Sequence, residues 1–106
     1  MTFRYRIHGR VTSEEGQPLA GLLVRAYDRD LAFDDDLGSA RSDGNGEFAI
    51  QFTEVAYRDV MEVRPDIYLR VFDPTTQTEL TSTRDATRWN ARADERFEIR
   101  IASARS

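Results

Sequence analysis

A chain of 106 residues supplies one hydrophobic core, so residues 1–106 read as a single domain without volume for a deep catalytic cavity. Hydrophobic content of 40%, with one Trp, four Tyr and six Phe, argues against disorder. A net charge of −4 without a basic cluster argues against nucleic-acid binding, and the absence of any apolar run near ~18 residues argues against membrane insertion.

Residues 3–11 alternate with period two: Phe3, Tyr5, Ile7, Gly9 and Val11 on one face, Arg4, Arg6, His8 and Arg10 on the other. That is the pattern of a half-buried strand. Its opening, MTFRYRIHGR, lacks the apolar centre of a signal peptide, an expectation that fits a cytoplasmic protein or part of a larger exported assembly. Ser13 to Gly21 is a turn rich in Gly, Pro and acid. Leu22, Val24 and Ala26 then share one face of a second strand, with Leu23 and Tyr27 on the other.

An acidic loop follows, with Asp28, Asp30, Asp34, Asp35 and Asp36 within nine residues. Ser39 to Ser42 reads as a brief strand. Asp43-Gly44-Asn45-Gly46 is a hairpin signal, because Asn and Gly tolerate the positive φ of tight turns. Phe48, Ile50 and Phe52 point inward from the next strand. Over 53–63, Val55, Tyr57, Val60, Met61 and Val63 fit a short amphipathic helix, ended by Pro65. Ile67, Leu69 and Val71 alternate with Tyr68, Arg70 and Phe72 in a further strand. Asp73 to Thr76 turns into a short strand over 79–83, Arg84 to Asp94 is a loop holding Trp89, and Phe97, Ile99 and Ile101 line the last strand. Seven or eight short strands separated by turns, with one short helix, predict an all-β, antiparallel two-sheet sandwich.

The run of Gly9, Val11, Gly16, Pro18 to Leu23, Ala26, Asp28, Asp30, Asp35 to Gly38, Asp43, Gly46, Phe48 and Arg64 to Val71, followed by Thr87-Arg88-Trp89-Asn90, resembles the bacterial transthyretin-like, or carboxypeptidase regulatory-like, modules. The Asp-x-Asp and Asp-Asp-Leu elements are also similar to nematode transthyretin-like proteins. The resemblance implies a prealbumin-type sandwich serving as an accessory domain. Hydroxyisourate hydrolases share that architecture but rely on several histidines and a C-terminal Tyr-Arg-Gly-Ser. This chain has His8 alone and ends Ser103-Ala104-Arg105-Ser106. Intradiol dioxygenases hold iron with two His and two Tyr, which one histidine does not supply. With no cysteine and no lysine, thiol and Schiff-base chemistry are absent. The chain is therefore not expected to be an enzyme.

Two readings of the acidic loop remain. Calcium takes roughly 6–8 oxygen ligands, and Asp28, Asp30, Asp34, Asp35 and Asp36, joined by Asp73 at the same pole, could supply them. Alternatively these are solvated turn residues paired with Arg25, Arg29 and Arg41, which is the favoured reading. Trp89, flanked by Arg88 and Arg92, is the best candidate for contact with a partner, since Trp and Arg dominate binding hot spots. Tyr68 and Phe72, with Tyr27, form a second candidate surface on the face opposite the core. The first and last strands are expected to be edges open to pairing. The expected function is a non-catalytic module for protein interaction or self-association, without a cofactor. The alternative is a calcium-binding module.

Overall fold

The computed structural model describes residues 2–31, 33–55 and 64–102. Seven strands, β1 (Thr2–Ser13), β2 (Leu23–Asp28), β3 (Asp35–Arg41), β4 (Glu47–Val55), β5 (Ile67–Phe72), β6 (Glu79–Ser82) and β7 (Asp94–Ile101), with a 3-10 turn at Arg84–Ala86, form two packed sheets. One sheet has the order β4-β1-β7, the other β3-β2-β5-β6. The sandwich follows from the alternation in the sequence. Ile7, Val11, Val24, Ala26, Ile50, Leu69, Val71, Phe97 and Ile99 face inward from both sheets and are buried together.

Three expectations are corrected. The sandwich is not wholly antiparallel, because β1 and β7 run parallel, with Ile7 opposite Glu95 and Val11 opposite Ile99. β1 is therefore the centre of its sheet and not an edge. The helix expected over 53–63 does not begin at Thr53: Thr53 and Val55 continue β4 opposite Arg4 and Thr2, and residues 56–63 lie outside the described residues. Finally, Asp35 and Asp36 are not in the loop but open β3, opposite Asp28 and Tyr27. A register shift at Ala26/Tyr27 and a positive φ at Gly38 let the strand continue through them.

The motif residues sit where the backbone demands them. A Cβ on Gly9 would stand 1.8 Å from the Phe97 carbonyl oxygen, so the close parallel approach of β1 and β7 needs glycine there. In the turn joining β3 to β4, which lie in different sheets and so form a corner and not a hairpin, Asp43 accepts hydrogen bonds from the Asn45 and Glu47 N–H groups, both at 2.9 Å. That side chain closes the turn that returns the chain from one sheet to the other.

Candidate functional site

Where β2 ends and β5 begins, the antiparallel register puts Asp28 opposite Ile67, and the loops around this end of the sandwich converge. The Arg29 N–H donates to the Asp66 carbonyl at 2.7 Å, and the Asp66 N–H donates to the Asp28 carboxylate at 3.0 Å. Ile67 and Arg88 exchange backbone hydrogen bonds, which brings the Trp89 loop to the same end. The Asn90 N–H reaches the Asp66 carboxylate at 2.8 Å; Asn90 has a positive φ, a conformation Asn tolerates.

Asp34 organises the β2–β3 loop. It accepts the Asp30 N–H at 3.0 Å and the Tyr68 hydroxyl, and Arg84 stands 3.6 Å away. These partners, the Tyr68 hydroxyl first, hold the Asp34 carboxyl below its ordinary range. Burial, reinforced by Asp34, pushes the Tyr68 hydroxyl up. The Arg29 guanidinium donates to the Arg84 carbonyl at 3.2 Å and to Thr87 Oγ1 at 3.3 Å, and its Cζ lies 5.2 Å from the centre of the Trp89 ring. This network fixes the loops, yet leaves their large apolar side chains in water. Leu31 is fully exposed, Phe33 is 82% exposed and Trp89 61%. Ala91, not Trp89, closes the core at this end.

The six aspartates do not form one site. Asp28, Asp30, Asp34, Asp35 and Asp36 share this end, but Asp73 follows Phe72, which pairs with Leu23 at the opposite end of β2. There Asp73 accepts the Thr75 and Thr76 N–H groups of its own turn. Asp30 accepts the Leu31 N–H, and Asp36 accepts the Gly38 N–H with Arg25 at 4.0 Å. Among the described residues no three of His, Cys, Asp and Glu come together as a ligand group. Asp28 shows the strain of crowding: burial first, then Asp66, Asp35 and Asp30, raise its pKa against the opposing Asp66 N–H.

The other sequence candidates separate. Arg88 turns onto its own fold: it pairs with Glu95 at 2.8 Å, donates to the Arg96 carbonyl at 2.9 Å, and stacks 4.1 Å over Phe97. Arg92 is exposed, with its N–H on Glu95. Tyr68 is buried and Phe72 half-buried, because arginines cover them. Arg84 lies over Tyr68, while Arg25 and Arg70 lie over Phe72. Leu31 and Phe33, which sequence reasoning passed over, join Trp89. Two large apolar residues inside an acidic loop were the signal available.

No family model and no curated protein matches the chain. Its sandwich is similar to solved structures. A 9R-lipoxygenase from Cyanothece PCC8801 matches with TM-score 0.59 and 20% identity over 94% of this chain and 16% of that one. The dioxygenase domain of a dioxygenase carbohydrate-binding protein fusion from Streptomyces sp. SirexAA-E matches with TM-score 0.56 and 17% identity, over 96% and 81%. Chlorocatechol 1,2-dioxygenase from Pseudomonas putida matches with TM-score 0.57 and 12% identity, over 96% and 61%. The chain thus spans about a sixth of the lipoxygenase and three fifths of the chlorocatechol enzyme. At these identities the likeness shows the fold alone. It also corrects the expectation that the chain is not an enzyme: the matched structures are dioxygenases and a lipoxygenase, so this fold gives no ground for excluding catalysis.

Proposed function

We propose that this sandwich is a protein-interaction module that docks on another protein through Leu31, Phe33 and Trp89. The observation that carries this reading is the exposure of all three at one end, on loops held by the Asp34–Tyr68–Arg84 and Arg29 contacts. Large apolar side chains exposed to water gain burial on docking, and loops already tied by hydrogen bonds lose less entropy. Isolated exposed apolar residues are ordinary; three at one end on fixed loops are not. The match to 16% of a lipoxygenase chain supports a sandwich of this kind working as one part of a larger protein, as does the resemblance of the sequence to transthyretin-like modules.

Edge pairing is the weaker route. The β7 edge carries Arg96, Glu98 and Arg100 on its outer face, and Arg88 occupies the Arg96 carbonyl, so charge and a capped acceptor blunt it. The test is a photoreactive phenylalanine analogue at position 33, expressed in the native cell. A discrete crosslinked species is expected, lost on Trp89→Ser and not formed from position 51 on the other sheet. Absence of any species specific to position 33 overturns the proposal.

A further inference from the structure

The outer face of the β3-β2-β5-β6 sheet carries a groove of about 410 Å³, with none of Leu31, Phe33 and Trp89 in its lining. Its floor is Leu23 and Phe72, which are register partners, flanked by Tyr27. Its rim is Arg25, Arg41 and Arg70. Arg25 stands directly opposite Arg70 across the two strands, and Leu23 stands opposite Arg41. Like charges placed opposite each other oppose sheet formation, so their concentration here calls for a counter-charge.

Arg70 has one. It pairs with Glu79 through two nitrogens, at 2.5 and 2.7 Å. Arg25 has only a long one, and Arg41 has none among the described residues. The only acid near Arg25 among the described residues is Asp36, at 4.0 Å from a terminal nitrogen, and Arg25 Nε is buried without a hydrogen-bond partner. Arg41 is exposed, with no ion pair among the described residues. Asp73, at the end of the groove, is turned to the N–H groups of its own turn. The groove therefore keeps two guanidinium groups without a close carboxylate, a buried donor without an acceptor, and an apolar floor of Leu23 and rings that Arg25 and Arg70 partly cover. Guanidinium groups match the planar, two-oxygen geometry of carboxylates and bind phosphates as well. A volume of this size lies within the range of small-molecule sites.

We propose that this groove binds a small organic anion: an oxyanion gripped by Arg25 and Arg41, attached to an apolar body that packs against Leu23 and Phe72 beside the guanidinium groups. The site is independent of the docking end, and either holds or fails without the other.

The test follows the arginine Nε–H and tyrosine ring signals by NMR while four probes are titrated: phenylacetate, phenyl phosphate, acetate and phenethylamine. Phenylacetate or phenyl phosphate is expected to shift the Arg25, Arg41 and Tyr27 signals saturably. The tighter of the two identifies a carboxylate or a phosphate ligand. Acetate, without the apolar body, is expected to bind more weakly. Arg25→Gln and Arg41→Gln should each weaken binding about tenfold, the effect of one hydrogen bond to a charged group. Arg41 is exposed, so its variant keeps the fold, and Arg100→Gln on the other sheet should change nothing. Absence of a saturable shift overturns the proposal. So does an equal response to phenethylamine, or unchanged affinity in both groove variants.

Discussion

The two outer faces of the sandwich are both rich in arginine and seat it differently. On the β4-β1-β7 sheet, unlike charges stand opposite each other: Arg6 opposite Asp94, Arg10 opposite both Glu47 and Glu98. Asp94 accepts from His8 at 2.6 Å and meets Arg6 at 3.5 Å. Arg96 pairs with Glu98 at 2.5 Å. On the other sheet, Arg25 and Arg70 stand opposite each other, and the guanidinium groups lie on rings: Arg70 over Tyr27 at 5.5 Å and Phe72 at 5.0 Å, Arg84 over Tyr68 at 5.7 Å. A carboxylate partner cancels the charge. An aromatic partner shields apolar surface from water and leaves the charge in place. On the first face the arginines meet carboxylates, while on the second Arg70 and Arg84 have carboxylate partners too, Glu79 and Asp34, but lie on rings as well.

Five substitutions break or sharpen this contrast. The largest effect is expected at the backbone that builds the first sheet. Gly9→Ala drives a methyl group into the Phe97 carbonyl and should cost about 4 kcal/mol or more, enough to abolish cooperative unfolding of a domain this size. Circular dichroism against temperature reads this directly. Next comes Tyr68→Phe, which removes the hydroxyl from Asp34 and should cost about 1–2 kcal/mol, a fall in melting temperature of roughly 5–15 °C. A melt indistinguishable from the parent would show that Asp34 does not hold the loop.

A third prediction turns on acid. The Asp28 pKa is raised in the folded state, so the folded protein binds more protons there than the unfolded chain. Its charged form therefore costs stability above its folded pKa, and that cost vanishes below the unfolded value. Asp28→Asn should raise the melting temperature at pH 7 and lose that advantage by pH 3. Asp34 and Asp94 run the other way: their pKa values are lowered, by Tyr68 and by His8 first. Their stabilisation is present above the ordinary carboxylate range and is lost as pH falls through their folded values. Asp94→Asn should accordingly destabilise at pH 7, with a penalty that shrinks as pH falls below the ordinary carboxylate range and through the folded pKa, opposite in sign to Asp28→Asn. The smallest effect is expected for Arg6→Ala, which breaks an exposed pair and should stay within about 0.5 kcal/mol. A larger loss would mean that the charged face is a stabilising network.

The faces of the strands were legible in the sequence because alternation is local: each side chain's side is decided by its neighbours two positions away. Thus Val24 and Ala26 separate from Tyr27, and Leu69 and Val71 from Arg70, before any pairing is known. What depends on register was not legible. Asp73 and Asp28 both end strands, and only the antiparallel pairing of β2 with β5 puts them at opposite ends. The parallel contact of β1 and β7 joins residues from the two ends of the chain and leaves no local mark, except that Gly9 falls among larger inward-facing residues. Of the candidate contact residues, Trp89 was visible by type. Arg88 was misplaced because its backbone pairing with Ile67 turns the side chain onto Phe97. Leu31 and Phe33 were hidden by their acidic neighbours.

That same parallel contact has a kinetic consequence. His8 and Asp94, which meet across it, are 86 positions apart, so the central strand of one sheet gains its second neighbour only when nearly the whole chain is in place. Pairings of such long sequence separation are slow to form, since the entropy of closing the loop precedes any reward. The β3-β2-β5-β6 sheet, built from the middle of the chain, is free to assemble first. During synthesis β1 therefore waits with one side open, and the arginines that alternate along it, Arg4, Arg6 and Arg10, guard that strand against pairing with the wrong chain until β7 arrives.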